Sequence, residues 1–490
     1  MNKPIVRTYL FVLFLLAILV YFTSKWAVFD ASELEASSQN RRSLIETAQV
    51  RRGTITTSDG EVVAESIADG KGDNAVYERR YPQGDLYAHP VGTSYIETGQ
   101  TGIEQSENDL LTGESNEFQS LIDQIEDKRQ EGADLTLTIN SNTQQVAATA
   151  LQSALDTTPG TTGAGSVVAL DPSTGAVKAM VSLPSYDPNA YQSDSQQINA
   201  AAGSPIVNRP VQGQYPPGST FKVVSASAAL DSGEFTPETA LDANSGLDVG
   251  GFPLDNSGAQ DFGTITMREA LTNSVNTYWA QVGEQLGPET MFDYMRRFGF
   301  EQDPELDYPT TQMEPSGVFS EKGTGELLDP DSGVDIGRVA IGQSSLLATP
   351  LQMAEVASTI ANDGELMQPT FVGEAKDPDG RTIADLDPTE QDEVISEEAA
   401  NQVAELMTSV AEEGTASGLS VPGSTFAGKT GTAEIDVAAG TNRPWFIGFA
   451  PVDDPQVAVA VNLEQCTGCF GGDAAGPVAT QVIEAVLNEP

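Results

Sequence analysis

The feature that most limits how this chain can fold is an uncharged apolar run at its start. Thr8 to Ser24 carries no charge and consists mostly of Leu, Val, Phe and Ile, with Lys3 and Arg7 before it. Together with Lys25-Trp26-Ala-Val-Phe29, a lysine and an interfacial tryptophan, it reaches the roughly 20 residues that a spanning helix needs. No small-x-small cleavage site comes after it, so the run reads as an uncleaved anchor over residues 8–29 and not as a removed signal peptide. Basic residues ahead of the span place a short tail, residues 1–7, in the cytoplasm. Everything beyond about residue 30 is then expected outside a cell membrane, held by a single pass.

The remainder of the chain is too long for one compact domain, at 490 residues in all. A net charge of −47 repels nucleic-acid phosphates and excludes that partner class. Asp30 to about Thr47 reads as a polar stalk with helical character. Val50 to Ala64 suggests two short strands about an Asp59-Gly60 turn. Arg79 to Gly84 and His89 to Tyr95 read as strand and turn, and Gly99 to Gly113 as a loop entering a helix. These residues, 30–136, make an elongated mixed pedestal without a dense set of reactive groups.

The texture changes near Ala133. Leu135 to Ile139 alternates as a strand, and Asn140 or Ser141 caps a helix with an apolar stripe at Val146, Ala150, Leu151, Ala154 and Leu155. A hairpin about Asp171-Pro-Ser-Thr-Gly175 comes next. Helices are expected from Val223 to Leu230, over Thr266 to Leu286, and after Thr349-Pro350. Thr425 to Glu434, Pro444 to Ala450 and Gln456 to Leu463 return to strands, and Pro477 to Asn488 closes with a helix. Strand hairpins bracketing a helical middle predict an α+β domain over residues 137–490, an antiparallel sheet flanked by helices.

The census of bases narrows the chemistry. The only histidine is His89, in the pedestal and beside a proline, so a Ser-His-Asp site is close to excluded. No metal-ligand cluster and no phosphate-cradling Gly-x-x-x-x-Gly-Lys motif is present, and no cofactor is implied. Ser219 and Lys222, in Tyr215-Pro-Pro-Gly-Ser-Thr-Phe-Lys222, fall on one face of a helix start whose free N–H groups suit an oxyanion. A lysine acts as a base only when burial or a second cation lowers its pKa. Lys429-Thr430-Gly431 supplies that cation on an edge-type strand, where glycine admits a ligand backbone. Ser274 and Asn276 offer a hydroxyl and an amide between the two lysines. Each fragment alone has a bland reading, a polar helix face or a strand end. Cys466 and Cys469, the only cysteines, read as a local disulfide clipping a loop in preference to two free thiols.

The set Ser219-x-x-Lys222, Ser274-x-Asn276 and Lys429-Thr430-Gly431 resembles the signature of penicillin-binding proteins and serine β-lactamases. Pro216 to Lys222, Lys429 to Glu434, Trp445 to Pro451, Thr349 to Ala354, Arg52-Gly-Thr-Ile and Gly102-Ile-Glu104 resemble class B penicillin-binding proteins. The resemblance spans roughly Arg51 to Leu487. It implies a D,D-transpeptidase that cross-links peptidoglycan stem peptides through an acyl-enzyme on Ser219, releases D-Ala, and is acylated by β-lactam antibiotics. It further implies that Lys222 activates Ser219, Ser274 relays the proton and Asn276 orients substrate. Lys429, Thr430 and Thr432 would bind the terminal carboxylate, and the N–H groups of Ser219 and Thr432 would form the oxyanion hole. A SEDS-family glycan polymerase is the partner implied in the membrane. The alternatives are a D,D-carboxypeptidase and a non-enzymatic β-lactam sensor. Asp303 to Asp307 faintly resembles the deacylating loop of β-lactamases and is read as a loop look-alike.

Overall fold

The computed structural model describes residues 3–25, 48–70, 75–114, 131–320, 325–436 and 438–489. The expected stalk, Asp30 to Thr47, lies outside them. The apolar run forms helix α1, Lys3–Ser24, which starts before Thr8 and takes in Lys3 and Arg7. Its window Ile5–Phe22 has a mean hydropathy of 2.4, and none of it is buried against the rest of the protein. The helix is long and apolar enough to cross a membrane.

Two six-stranded sheets organise the remainder. In the first, β1 (Ile55–Thr56) pairs antiparallel with β2 (Val62–Asp69) through the expected Asp-Gly turn, and β2 pairs with β3 (Val76–Arg80). β1 also runs parallel to β4 (Asp134–Leu137). β4 in turn pairs with a strand from far along the chain, β7 (Val372–Lys376), whose own neighbour is β8 (Thr382–Asp385). The pedestal sheet therefore draws strands from either side of residue 137. Asp307 helps hold that junction: its carboxylate accepts N–H bonds from Phe371 at 2.7 Å and Val372 at 2.8 Å and a hydroxyl bond from Thr370 at 2.7 Å. Burial keeps the Asp307 carboxyl above its ordinary value even so. The acidic loop that contains it is thus a structural brace.

His89 departs from expectation. It lies on a helical turn, Ala88–Val91, and not in strand or turn material. Burial pushes its pKa down to about 4, and its Nε2 lies 2.8 Å from the Pro205 carbonyl.

The second sheet has the order β9-β10-β11-β5-β6, with β12 beside β10, and every pairing is antiparallel. Its strands are β5 (Gly165–Leu170), β6 (Val177–Leu183), β9 (Ala427–Asp436), β10 (Thr441–Ala450), β11 (Val457–Leu463) and β12 (Cys466–Thr467). Every residue of β5 and β11 is buried, which requires cover on both faces. α2 (Ser141–Thr157), capped by the Asn140 side chain, packs on β6 and on the closing helix α8 (Gly476–Leu487). α6 (Pro350–Ala361), with Thr349 as its cap and Pro350 at its first position, packs across β5, β10 and β11. α3 (Lys222–Asp231) lies between α5 (Asn276–Arg297) and α7 (Glu397–Glu412). The α+β architecture is the one expected.

Two local differences bear on the site. Ser219 is not on the first turn of an α-helix: Gly218–Phe221 is a tighter 3-10 turn, and the α-helix begins at Lys222. Gly218 at φ 56° and the two prolines before it set that tighter entry. The expected helix over Thr266 to Leu286 is two helices, α4 (Met267–Thr272) and α5, broken at Asn273 to Val275. α5 itself is interrupted by Gly287 and Pro288, close to the expected end.

Candidate active site

Three segments meet at the 3-10 turn. The turn is tied down from below: Tyr215 exchanges two backbone bonds with Ala348, at 3.0 and 2.8 Å, and Gly218 N donates to Gly342 O at 2.9 Å. Trp445 Nε1 on β10 donates to Pro216 O at 3.1 Å, and Thr220 Oγ1 donates to Pro217 O at 2.7 Å. Ser219 is partly exposed at the top, and its hydroxyl has no side-chain partner among the described residues.

Lys222 lies one turn on and is wholly buried. Its Nζ donates to Ser274 O at 2.7 Å and to Asn276 Oδ1 at 2.7 Å, with Ser274 Oγ further off at 3.4 Å. Burial, then the positive charge of Lys429, hold its pKa well below the usual lysine range. A neutral amine has two N–H groups and one lone pair. The two short bonds match the two N–H groups of the neutral amine, and the hydroxyl within 3.4 Å of the same nitrogen is that of Ser274.

Ser274 reaches this place by a strained backbone. It is a non-glycine residue at φ 58°, in the break between α4 and α5, which turns its carbonyl to Lys222 and its hydroxyl to Lys429. Lys429 Nζ donates to Ser274 Oγ at 2.9 Å and to Thr430 O at 2.9 Å. Lys429 is also wholly buried, and that burial brings its pKa down to about 7. Asn276 is engaged on both sides: Oδ1 receives Lys222, and Nδ2 donates to Asp255 O at 3.1 Å.

β9 carries Lys429 to Thr432 along the outer edge of the sheet. Gly431 sits where a Cβ would meet Thr220 Cγ2 at 2.8 Å and Pro217 O at 2.9 Å, so the strand lies directly on the turn that carries Ser219. On the alternate face, the Thr430 hydroxyl is 2.5 Å from that of Thr415, and Thr432 Oγ1 accepts from Gly471 N at 3.2 Å. Ser219, Lys222, Ser274, Asn276, Lys429, Thr430, Gly431 and Thr432 therefore converge. Cys466 and Cys469 are joined as a disulfide in the loop that supplies Gly471.

The sequence did not reveal the support behind the turn. Tyr215 Oη donates to Glu464 Oε1 at 2.6 Å, and Arg209 Nε donates to the same oxygen at 2.8 Å. The Arg443 guanidinium lies 4.6 Å from the Tyr215 ring centroid. Glu464 is 249 residues from Tyr215, beyond any spacing argument.

A serine at the tip of a pinned turn, beside a buried lysine with a lowered pKa and a second lysine reached through a hydroxyl, defines a serine acyltransferase. Residues 165–484 match the penicillin binding protein transpeptidase domain, and residues 52–135 match the penicillin binding protein A dimerisation domain. The chain belongs to the penicillin-binding protein transpeptidase family. It is 34% identical over 510 residues to the peptidoglycan D,D-transpeptidase PbpA of Mycolicibacterium smegmatis, covering 100% of both chains. It is 35% identical over 511 residues to the Mycobacterium tuberculosis protein of that name, covering 100% of this chain and 99% of the relative. Among solved structures it is similar to penicillin-binding protein A from M. tuberculosis in its ceftriaxone acyl-enzyme complex. The TM-score is 0.79 at 33% identity, over 91% of this chain and 100% of that one.

Proposed function

We propose that this chain is a D,D-transpeptidase of peptidoglycan synthesis, with Ser219 as nucleophile. The observation that carries the reading is the Lys222 amine, with both N–H groups committed to Ser274 O and Asn276 Oδ1. Its lone pair takes the Ser219 proton as Oγ attacks the penultimate D-Ala carbonyl of a stem peptide. The developing oxyanion is received by the N–H groups of Ser219 and Thr432. Collapse expels D-Ala, whose nitrogen is protonated through Ser274 from the lysine pair. An amine of a neighbouring stem then attacks the acyl-enzyme carbonyl and loses its proton to the same pair; the bond from the acyl carbon to Ser219 Oγ breaks, Oγ takes that proton back from Lys222, and the cross-link is complete. Lys429, Thr430 and Thr432 hold the terminal carboxylate of the donor. A β-lactam is opened by the same attack and stays on Ser219.

Helix α1 serves as the membrane anchor, with Lys3 and Arg7 on the cytoplasmic side and the catalytic domain, from residue 137 on, outside. The pedestal, residues 30–136, sets the height of the site above the membrane, and a SEDS-family polymerase supplies its glycan strands. The apolar α1 helix and the match of residues 52–135 to a dimerisation domain support this arrangement. The test is covalent labelling of the full chain with a fluorescent penicillin, followed by a cross-linking assay with a pentapeptide donor and an amine acceptor. Ser219→Ala is expected to remove the label while the protein stays folded. Persistent labelling of that variant would refute the assignment, and product released only to water would make the protein a carboxypeptidase.

A further inference from the structure

The Cys466–Cys469 disulfide lies two residues from the group that holds the Thr432 hydroxyl. Cys466 is fully buried and Cys469 nearly so. Cys466 pairs with Asn442 between β12 and β10, and the Asn442 side chain donates back to Cys469 O at 2.9 Å. Gly468 N donates to Gly440 O at 2.9 Å, so the clipped loop is fixed to the end of β10. Beyond Cys469 the chain turns onto β9, where Gly471 N donates to Thr432 Oγ1. Gly471 lies so close that a Cβ there would overlap the carbonyl oxygens of Gly431 and Trp445.

Resting on the transpeptidase reading, we infer that this disulfide is a positioning device for the carboxylate-binding end of the site. A hydroxyl has one proton to donate and two lone pairs. With one lone pair occupied by Gly471 N–H, the Thr432 proton is directed away from the loop, toward an anion lying along β9. The clip removes freedom from the loop before a ligand arrives, which lowers the ordering cost of binding. It reaches only the Thr432 side chain: Ser219 and Lys222 are held by the 3-10 turn and α3, Ser274 by the α4–α5 break, and the Thr432 backbone of the proposed oxyanion hole by the pairing of β9 with β10, where Thr432 faces Pro444. The disulfide therefore acts on ligand binding and leaves the acylation step alone.

The experiment uses the full chain and a carboxylate-bearing penicillin, with stopped-flow acylation resolved into a dissociation constant and an acylation rate constant. In Cys466→Ser/Cys469→Ser, the dissociation constant is expected to weaken about 5- to 10-fold, the worth of one modest hydrogen bond, with the acylation constant within about twofold. The single variant Cys469→Ala is expected to behave alike and covers the case in which the double variant folds poorly. Thr432→Val weakens binding with the disulfide intact, and adding the cysteine substitutions to it is expected to cause no further loss. Additive losses would assign the disulfide a general structural role and overturn the inference. So would an unchanged dissociation constant, or an equal fall in both constants. A wild-type protein that fails to acylate at Ser219 would instead sink the transpeptidase reading.

Discussion

Lys222 and Lys429 approach a single hydroxyl from two sides: Ser274 Oγ lies 3.4 Å from the Nζ of the first and 2.9 Å from that of the second. Two buried cations so placed cannot both stay charged cheaply, and their protons come off as a coupled pair. Both pKa values are lowered, that of Lys429 to about 7 by burial.

The charge state of Lys222 depends on its neighbour. Burial and the charge of Lys429 both favour neutral Lys222. Removing that charge with Lys429→Met raises the Lys222 pKa, so the base forms only at higher pH. The acid limb of the acylation rate constant is expected to move up in pH, read from penicillin acylation at saturating ligand. An unmoved limb would show that the second lysine does not tune the first. Between about pH 7 and the unfolded value of 10.5, the unfolded chain binds the extra Lys429 proton, so stability from this group climbs with pH.

Asn276 gives a second test. Its Oδ1 receives Lys222 and its Nδ2 donates to Asp255 O. Asn276→Asp keeps the shape, puts a carboxylate against the amine, and turns a donor into an acceptor facing a carbonyl. The charged amine is then favoured, and acylation is expected to fall by about 100-fold or more at neutral pH, as when a general base is lost. Near-normal acylation of a folded Asn276→Asp would remove Asn276 from the positioning of Lys222.

The residues that meet at the candidate site were legible in the sequence because each sits in a short word whose residue types have few other joint uses. Their supports were not. The left-handed Ser274 breaks what apolar spacing reads as one continuous helix, because periodicity carries no information on a single residue's φ. The pedestal sheet takes β7 and β8 from more than 200 residues beyond β4, as the bond from Thr138 Oγ1 to Thr370 O across 232 positions illustrates. A break in texture near Ala133 marked where reactive groups begin, not where backbone pairing ends. The Asp-Gly hairpin, the Thr349 cap and the closing strands, all set by local preference, were visible in advance.

Gly431 tests whether β9 must lie on the turn that carries Ser219. A methyl group there would meet Thr220 Cγ2 at 2.8 Å, Pro217 O at 2.9 Å and Trp445 Cβ at 2.9 Å. Two of these atoms belong to the turn that presents Ser219, so Gly431→Ala must part strand from turn. Overpacking of this kind costs about 1–3 kcal/mol. Acylation is expected to fall further than stability, because Lys429 moves with the strand. A variant that loses stability but acylates at the wild-type rate would refute the coupling.

The last prediction lies in the pedestal, where Glu104 is wholly buried between two arginines. Arg79 Nε donates to Oε1 at 2.5 Å, and Arg52 donates to Oε2 at 2.8 Å through NH2 and 3.0 Å through Nε. Burial alone would raise the Glu104 carboxyl, but Arg79 and then Arg52 hold it below its ordinary value. Glu104→Gln keeps the volume and leaves two guanidinium groups uncompensated in the interior. Breaking a buried pair in this way costs about 3–5 kcal/mol. Because the folded pKa is depressed, the carboxylate's contribution is complete above the unfolded value of about 4.5 and is lost as pH falls through the folded value. The thermal melts of wild type and variant are therefore expected to differ most near neutral pH, and the difference to shrink as pH falls below the unfolded value and through the depressed folded value. Acylation of Ser219 at temperatures below both transitions is expected to be unchanged, since neither arginine reaches the second sheet. Equal melting at neutral pH would show that the triad contributes nothing to holding the pedestal together.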